Sequence, residues 1–272
     1  MIALLRLETA GVVRARWLTA SFVLTVSAVA FFFALASRES AIVAFTGFER
    51  VVTGFGSAAL LVLPLLAILA TSQAIVQARA QGVLEWYLSH PVSRPGCFWA
   101  IFLPRLAAVA GPVVLAVALI GLASAALGQA VSAALLARLV AVLVGQAVCF
   151  AALGFWVGVG ASTPESALLR GLGLWITSAA LLDFALIGAM LRWNIPVSTV
   201  FALSAINPVQ AGRLGLLSGA DPELGVLGPV GTWISTTLGP GGTLTYALAW
   251  PMLVGAVALF AARRTFLRGD LL

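Results

Sequence analysis

The chain has 272 residues, of which 62% are hydrophobic and only 9% are charged. A soluble domain carries about 25% charged residues, because its surface faces water. This composition therefore excludes a water-soluble globular protein and predicts a chain surrounded mostly by lipid. The net charge of +6 is carried by Arg alone, since the sequence contains no Lys.

Six windows along the chain are long and apolar enough to cross a bilayer. A spanning helix needs about 20 apolar residues, since the hydrocarbon core is about 30 Å thick. We therefore predict an all-α integral membrane protein with six transmembrane helices, forming a single transmembrane domain over residues 1–272. The windows are residues 17–37, 55–76, 106–126, 135–159, 172–191 and 243–262.

The distribution of Arg predicts the orientation. With an even number of crossings the two termini share a side, and ten of the 15 basic residues fall on that side. The positive-inside rule then places both termini in the cytoplasm. Residues 1–16 mix Leu and Val with Arg and Glu, which fits either a short amphipathic helix in the membrane interface or an ordinary positive flank.

The predicted cytoplasmic loop at residues 77–99 contains a short helix. Gly82 opens the segment, residues 83–90 can form about two helical turns, and Pro91 ends them. Val83, Trp86 and Tyr87 share one face at helical spacing, and Glu85 lies on another. Such an exposed aromatic face fits docking into a partner's groove, or anchoring at the membrane interface.

The predicted outer segment, residues 192–242, is too long to be a plain loop. We expect short re-entrant or interfacial helices there. Inside the windows, Asp183 is an ionisable residue at membrane depth, and Gln73 and Gln146 are weaker examples. Each fits either a transport pathway or polar packing within the bundle. Gly154 and Gly158 form a close-packing pattern that can also mark a dimer face.

Several chemistries are missing from the sequence. Without Lys there is no phosphate-binding loop, so the chain is not a self-contained ATPase. His90 is the only His, and it lies in the predicted cytoplasmic loop, which excludes intramembrane Ser-His proteolysis and most zinc sites. We therefore expect neither catalysis nor a resident metal or cofactor in this chain. Cys97 and Cys149 lie at different depths, so no disulfide is expected. Arg residues form no clustered stripe, so no nucleic-acid surface is expected.

Three motifs carry a family resemblance. They are GVLEWYLSHPVSR at residues 82–94, INPVQAGRL at residues 206–214, and the tail RRTFLRGDLL. The chain resembles the permease subunits of ABC-2-type transporters. The stretch from Trp175 through Asp183 to Gly188 is also similar to the branch of that family that serves maturation of nitrous oxide reductase. Gln210 and Gly212 stand where that branch has an acidic and an aromatic residue.

The resemblance implies an exporter-like (type V) permease fold in the bacterial inner membrane. Two copies would form the pore, coupled to a cytoplasmic ABC ATPase dimer that binds ATP and Mg²⁺. A periplasmic β-helical protein would bind outside, and the complex would serve assembly of copper–sulfur centres. Two other functions stay open: a scaffold that moves no cargo, and a proton-coupled carrier that uses Asp183. The residues implied in ATPase coupling are Gly82, Val83, Glu85, Trp86, Tyr87, His90 and Arg94, and those of the outer motif are Asn207, Pro208 and Arg213.

Overall fold

The computed structural model describes residues 2–39, 47–126, 128, 131–192, 197–221 and 223–269. These residues form helices and turns, with no strand among them. The prediction of an all-α fold is therefore confirmed. The helices are α1 (Ile2–Val13), α2 (Arg16–Glu39), α3 (Gly47–Ala80), α4 (Val83–Leu88), α5 (Arg94–Ala126), α6 (Ala133–Val159), α7 (Pro164–Ile176), α8 (Leu182–Arg192), α9 (Val197–Ala205), α10 (Pro208–Ala220) and α11 (Gly228–Arg268).

Two irregular turns join these helices. A π-helical turn, Thr177–Leu181, connects α7 to α8, and a 3₁₀ turn, Gly225–Leu227, precedes α11. The backbone of α11 breaks at Gly239, whose φ of 66° is in the left-handed region that favours glycine. Pro240 follows the break, so residues 228–238 form a separate helical piece before the long apolar part of α11.

Within the described ranges, five helices are long and apolar enough to cross a membrane, or six if the bent pair of α1 and α2 counts as one span. The predicted windows fall inside α2, α3, α5, α6, the α7–α8 run and α11. The axes of α1 and α2 differ by 58°. Residues 2–13 are thus a separate helix, whose buried side is Leu4, Glu8 and Val12.

The core centres on α3, against which α6 and α7 pack closely. A Cβ on Gly154 would lie 2.8 Å from Ile68 Cα, and a Cβ on Gly158 would overlap the carbonyl oxygen of Ser72. A Cβ on Gly171 of α7 would lie 2.7 Å from Ile68 Cγ2. The Gly154–Gly158 pattern therefore joins two helices of one chain, which corrects its interpretation as a dimer face. Small residues allow such close approach between membrane helices.

Both ends of the described chain lie at the α4 end of the bundle. Helix α1 contacts α4 through Glu8 and Tyr87, and Arg94 at the start of α5 donates to the carbonyl of Leu267 near the end of α11 (3.2 Å). Beneath them, Phe98 packs edge-on against Phe155 and Phe266, with ring centroids 5.1 and 5.6 Å away. This aromatic cluster ties α5, α6 and α11 together under α4.

Candidate functional site

The exposed side of α4 presents a small polar and aromatic patch. Gly82 precedes the helix with a φ of 69°, a left-handed conformation that favours glycine. Trp86 is 54% exposed, and Glu85 and His90 are also exposed. The His90 ring lies 4.6 Å from the Trp86 ring, and His90 Nδ1 lies 2.9 Å from the Trp86 carbonyl. We call Glu85, Trp86 and His90 the α4 patch.

The other side of α4 is buried, and this corrects the prediction for Tyr87. Leu84 is fully buried and Tyr87 is 4% exposed, so Tyr87 does not share an exposed face with Trp86. Successive residues on a helix point about 100° apart. That rotation turns Tyr87 away from the solvent side and towards α1, where its hydroxyl finds a partner.

Glu8 is that partner, and it links three helices. Tyr87 Oη donates to Glu8 Oε1 (2.6 Å), and Arg105 Nη1 donates to Glu8 Oε2 (2.8 Å). Arg105 also donates to the carbonyl of Ile101, one turn earlier in α5 (2.7 Å). Glu8 itself is buried. We call Glu8, Tyr87 and Arg105 the Glu8 clamp, because it joins α1, α4 and α5 through one carboxylate.

The chemistry of the clamp keeps Tyr87 neutral. Burial raises the pKa of Tyr87 well above its usual value, and the hydrogen bond to Glu8 raises this pKa further. The hydroxyl therefore remains a donor across physiological pH. Sequence reasoning missed Glu8, although one signal was present: it is the only acidic residue in an otherwise apolar and basic helix, spaced four residues from Leu4 and Val12.

A second polar site lies where α9 turns into α10. Asn207 is 2% exposed and begins α10, with its Oδ1 accepting from the Val209 backbone N–H (3.0 Å). Its Nδ2 donates to the carbonyl of Ser178 in the π-helical turn (2.6 Å). A π-helical turn leaves a backbone carbonyl without its regular α-helical partner. The Asn207 side chain thus pairs with a backbone N–H group of α10 and with a backbone carbonyl of the π turn.

Side chains of α6 and α11 donate hydrogen bonds to backbone carbonyls of the turn between α9 and α10. At membrane depth an irregular backbone is tolerated only where protein groups replace water. Gln146 lies midway along α6, about 20 Å from its start at Ala133, so the turn reaches the middle of the bundle. The bonds are Gln146 Nε2 to Pro208 O (2.6 Å), Trp250 Nε1 to Ile206 O (3.0 Å) and Tyr246 Oη to Ala205 O.

From this turn α10 runs back along α6 towards the end of the bundle opposite α4. Arg138 Nη1 donates to Ser218 Oγ (3.1 Å) near the C-terminal end of α10. A cation is stabilised there by the helix dipole. Gly212 allows the close approach, because a Cβ there would lie 2.6 Å from Gln146 Nε2. Helices α9 and α10 therefore form a hairpin whose turn lies beside Gln146 in the middle of the bundle.

Asp183 forms an ion pair with α10. Arg213 Nη1 donates to Asp183 Oδ2 (3.0 Å), and Gln210 Nε2 donates to Asp183 Oδ1. Both side-chain partners of Asp183 therefore come from α10 and neither from α8 itself. The pair is partly open, since the side chains of Arg213 and Asp183 are 39% and 21% exposed. Phe184, next along α8, is 72% exposed.

The other predicted polar residues cross-link the bundle. Gln146 is fully buried, and its Oε1 has no hydrogen-bond partner within the described part of the chain. Gln73 Nε2 donates to the carbonyl of Pro164 at the start of α7 (3.2 Å). These contacts favour a packing role for both glutamines. Over the described ranges, no three His, Cys, Asp or Glu side chains are grouped as a metal site would require.

Comparison with known proteins identifies the family of this chain. A family model described as ABC-2 family transporter protein matches residues 2–271. The chain belongs to this ABC-2 family. It is also similar to a protein of Pseudomonas aeruginosa described as a probable ABC transporter permease protein, NosY. The two are 29% identical over 230 residues, which is 79% of this chain and 81% of that protein. The resemblance drawn from the three sequence motifs is thereby confirmed at the level of the family.

Proposed function

We propose that this ABC-2 protein is the membrane-spanning subunit of a transporter powered by a separate ATPase, which binds ATP and Mg²⁺. The α4 patch supports this role most directly. It is an exposed Trp and Glu on a six-residue helix that is fixed from behind by the buried Leu84 and Tyr87. Large aromatic residues on a rigid support make effective docking anchors, because little conformational entropy is lost on binding.

The Glu8 clamp would transmit movement of the docked ATPase from α4 to the membrane helices. A force on α4 would reach α1 through the Tyr87–Glu8 hydrogen bond and α5 through the Glu8–Arg105 ion pair. Because both contacts use one carboxylate, α1 and α5 would move together with α4. Gly82 permits the sharp entry into α4 at the end of α3, and Arg94 fastens α5 to the end of α11.

We place α4 and both termini in the cytoplasm and the α9–α10 hairpin towards the periplasm, in a bacterial inner membrane. The excess of Arg at the α4 end supports this orientation. Two copies of the chain would enclose the pathway along α7 and α8. In that span only 6% of the most apolar window is buried, and the partly open Asp183–Arg213 pair belongs to the same region. Exposed charges at membrane depth require water or protein rather than lipid.

The cellular role proposed for this transporter is maturation of nitrous oxide reductase, in particular assembly of its copper–sulfur centres. The similarity to the NosY permease supports this role, as does the Trp175-to-Gly188 stretch. A periplasmic β-helical partner would bind where α10 ends, near Ser218. The interpretation of Asn207 and Pro208 as part of an outer motif is corrected by their place at the turn in the middle of the bundle, where Asn207 is buried. The open ion pair in the span favours a transporter over a scaffold, because a scaffold would gain nothing from partly exposed charges at that depth.

The α4 patch can be tested by uncoupling. We expect Trp86→Ala combined with Glu85→Arg to leave the fold intact, because both side chains are exposed, but to abolish ATPase binding. Truncating an aromatic anchor typically weakens an interface by about 2 kcal/mol or more, roughly 30-fold in affinity. Pull-down of the ATPase and ATP hydrolysis by the reconstituted complex measure the effect.

Trp156→Ala is the matched control, since Trp156 is 46% exposed on α6 but is not part of α4. It should retain ATPase binding. Full binding and ATP hydrolysis in the double variant would mean that Trp86 is a membrane anchor and that the ATPase docks elsewhere.

The Asp183–Arg213 pair can be tested by a double-mutant cycle. Asp183→Asn or Arg213→Gln alone leaves one charge unpaired, so each should lower stability by about 1–3 kcal/mol. Combining them removes both charges and should restore most of the thermal stability. If the pair lines the pathway, the double variant should still fail to support nitrous oxide reductase maturation in a strain lacking the wild-type gene. Full complementation by the stable double variant would assign the pair to packing instead.

A further inference from the structure

At the bend between α1 and α2, two Arg side chains that are two residues apart in sequence are unpaired. Arg14 and Arg16 are exposed. Within the described part of the chain, neither side chain makes an ion pair or a hydrogen bond. Glu8, the nearest acidic residue in sequence, is already bound by Arg105. The bend is therefore a site of uncompensated positive charge where the chain enters the membrane.

An apolar groove runs away from these two charges along α2. It is shallow and is lined by Arg14, Arg16, Thr19, Ala20, Val23, Leu24 and Ser27. Val23 and Leu24 are 56% and 50% exposed. Leu24 also lines a second apolar cleft, where α2 faces α3 and α5. Leu24 borders both, so the two adjoin on the bundle surface, and we call them together the channel.

The length of this channel matches one leaflet of a bilayer. From Arg16 to Ala28, which lines the second cleft, the helix rises about 18 Å. One leaflet contributes about 15 Å of hydrocarbon, half of the total core. An acyl chain attached to an anionic headgroup at Arg14 and Arg16 would therefore end in the cleft near the bilayer centre.

We propose that this channel binds an anionic phospholipid, with its phosphate on Arg14 and Arg16 and one acyl chain along Ala20 and Leu24. Guanidinium groups bind phosphate oxygens with charge-assisted hydrogen bonds, and basic residues at a membrane boundary attract anionic headgroups. A second copy of the chain is a poorer occupant, because a two-fold interface at this patch would bring like charges together. The bound lipid fixes α1, and with it the Glu8 clamp.

The experiment uses the full chain, purified and delipidated in neutral detergent, with phosphatidylglycerol as the probe and phosphatidylcholine as the neutral comparison. Native mass spectrometry counts the retained lipids. We expect wild-type protein to bind one phosphatidylglycerol tightly, and Arg14→Gln combined with Arg16→Gln to weaken that binding roughly 30-fold. Arg263→Gln combined with Arg264→Gln is the matched control, with the same loss of charge on exposed residues at the α4 end of the bundle.

A second variant, Ala20→Trp, fills the groove without changing the charge. Ala20 is exposed, so the fold should tolerate the change while the acyl chain loses its place and phosphatidylglycerol binding falls. Equal weakening by the Arg263 and Arg264 changes would overturn the proposal in favour of general electrostatic attraction. Unchanged lipid binding in Ala20→Trp, or a loss of self-association instead, would also overturn it, the latter in favour of an interface between copies.

Discussion

Glu8→Gln is expected to cause a large loss of stability, although it changes only one oxygen to nitrogen. The buried carboxylate accepts from both Tyr87 and Arg105, whereas a neutral amide offers one acceptor and no charge. Removing one partner of a buried ion pair costs about 3–5 kcal/mol. The Arg105 side chain keeps 18% exposure, so we expect the lower end, about 3 kcal/mol. Thermal unfolding of the purified chain measures it.

Glu85→Gln is the matched control for that experiment. Glu85 is an exposed carboxylate on α4, so its loss should change the stability of the isolated chain by less than about 0.5 kcal/mol. If both variants unfold at the same temperature as the wild type, the Glu8 clamp does not hold α1 to the bundle.

Tyr87→Phe separates transmission of force from stability. It removes only the hydroxyl and leaves the Glu8–Arg105 pair in place, so it should cost about 1 kcal/mol. Coupling should nevertheless fall, because α4 then loses its hydrogen bond to α1. ATP hydrolysis that still drives full transport in Tyr87→Phe would show that apolar packing of α4 transmits the movement instead.

The number and position of the membrane spans could be predicted from the sequence because the bilayer imposes a length on every apolar helix. The α4 segment could also be predicted, since Gly82 and Pro91 punctuate it locally. The buried face of α4 could not. Tyr87 and Trp86 are adjacent, equally amphipathic aromatics, and the choice between them depends on Glu8, which lies far away in sequence.

The contacts of the α9–α10 turn were even less predictable from the sequence. Its polar groups pair with three separate elements across tens of residues. Asn207 donates to the Ser178 carbonyl in the π turn, while Gln146 of α6 and Trp250 of α11 donate to the Pro208 and Ile206 carbonyls of the turn. Sequence reasoning singled out Gln146 and Asp183 because polar residues in apolar surroundings are costly, and Asn207 because it belongs to the INPVQAGRL motif. The sequence could not show which of these residues contact each other, because no local pattern sets how deeply the α9–α10 hairpin enters the bundle.

The packing of α3 on α6 gives the second large prediction. We expect Gly158→Ala to destabilise the protein by about 3 kcal/mol or more, since overpacking costs 1–3 kcal/mol even where side chains can yield. Here they cannot: the added Cβ would overlap the Ser72 carbonyl oxygen and lie 2.9 Å from its carbonyl carbon, both of them backbone atoms of α3. The two helices would have to separate, and Gly154, one turn away, would lose its contact with Ile68 as well.

Gly145→Ala is the matched control in the same helix. Gly145 is also buried, but a Cβ there would meet nothing within 4 Å, and alanine favours a helix over glycine by up to about 1 kcal/mol. Thermal unfolding in one detergent should therefore rank Gly145→Ala at or above the wild type and Gly158→Ala well below it. Equal stability of the two variants would contradict the close approach of α3 and α6. A change in self-association without loss of stability in Gly158→Ala would return the Gly154–Gly158 pattern to an interface between copies.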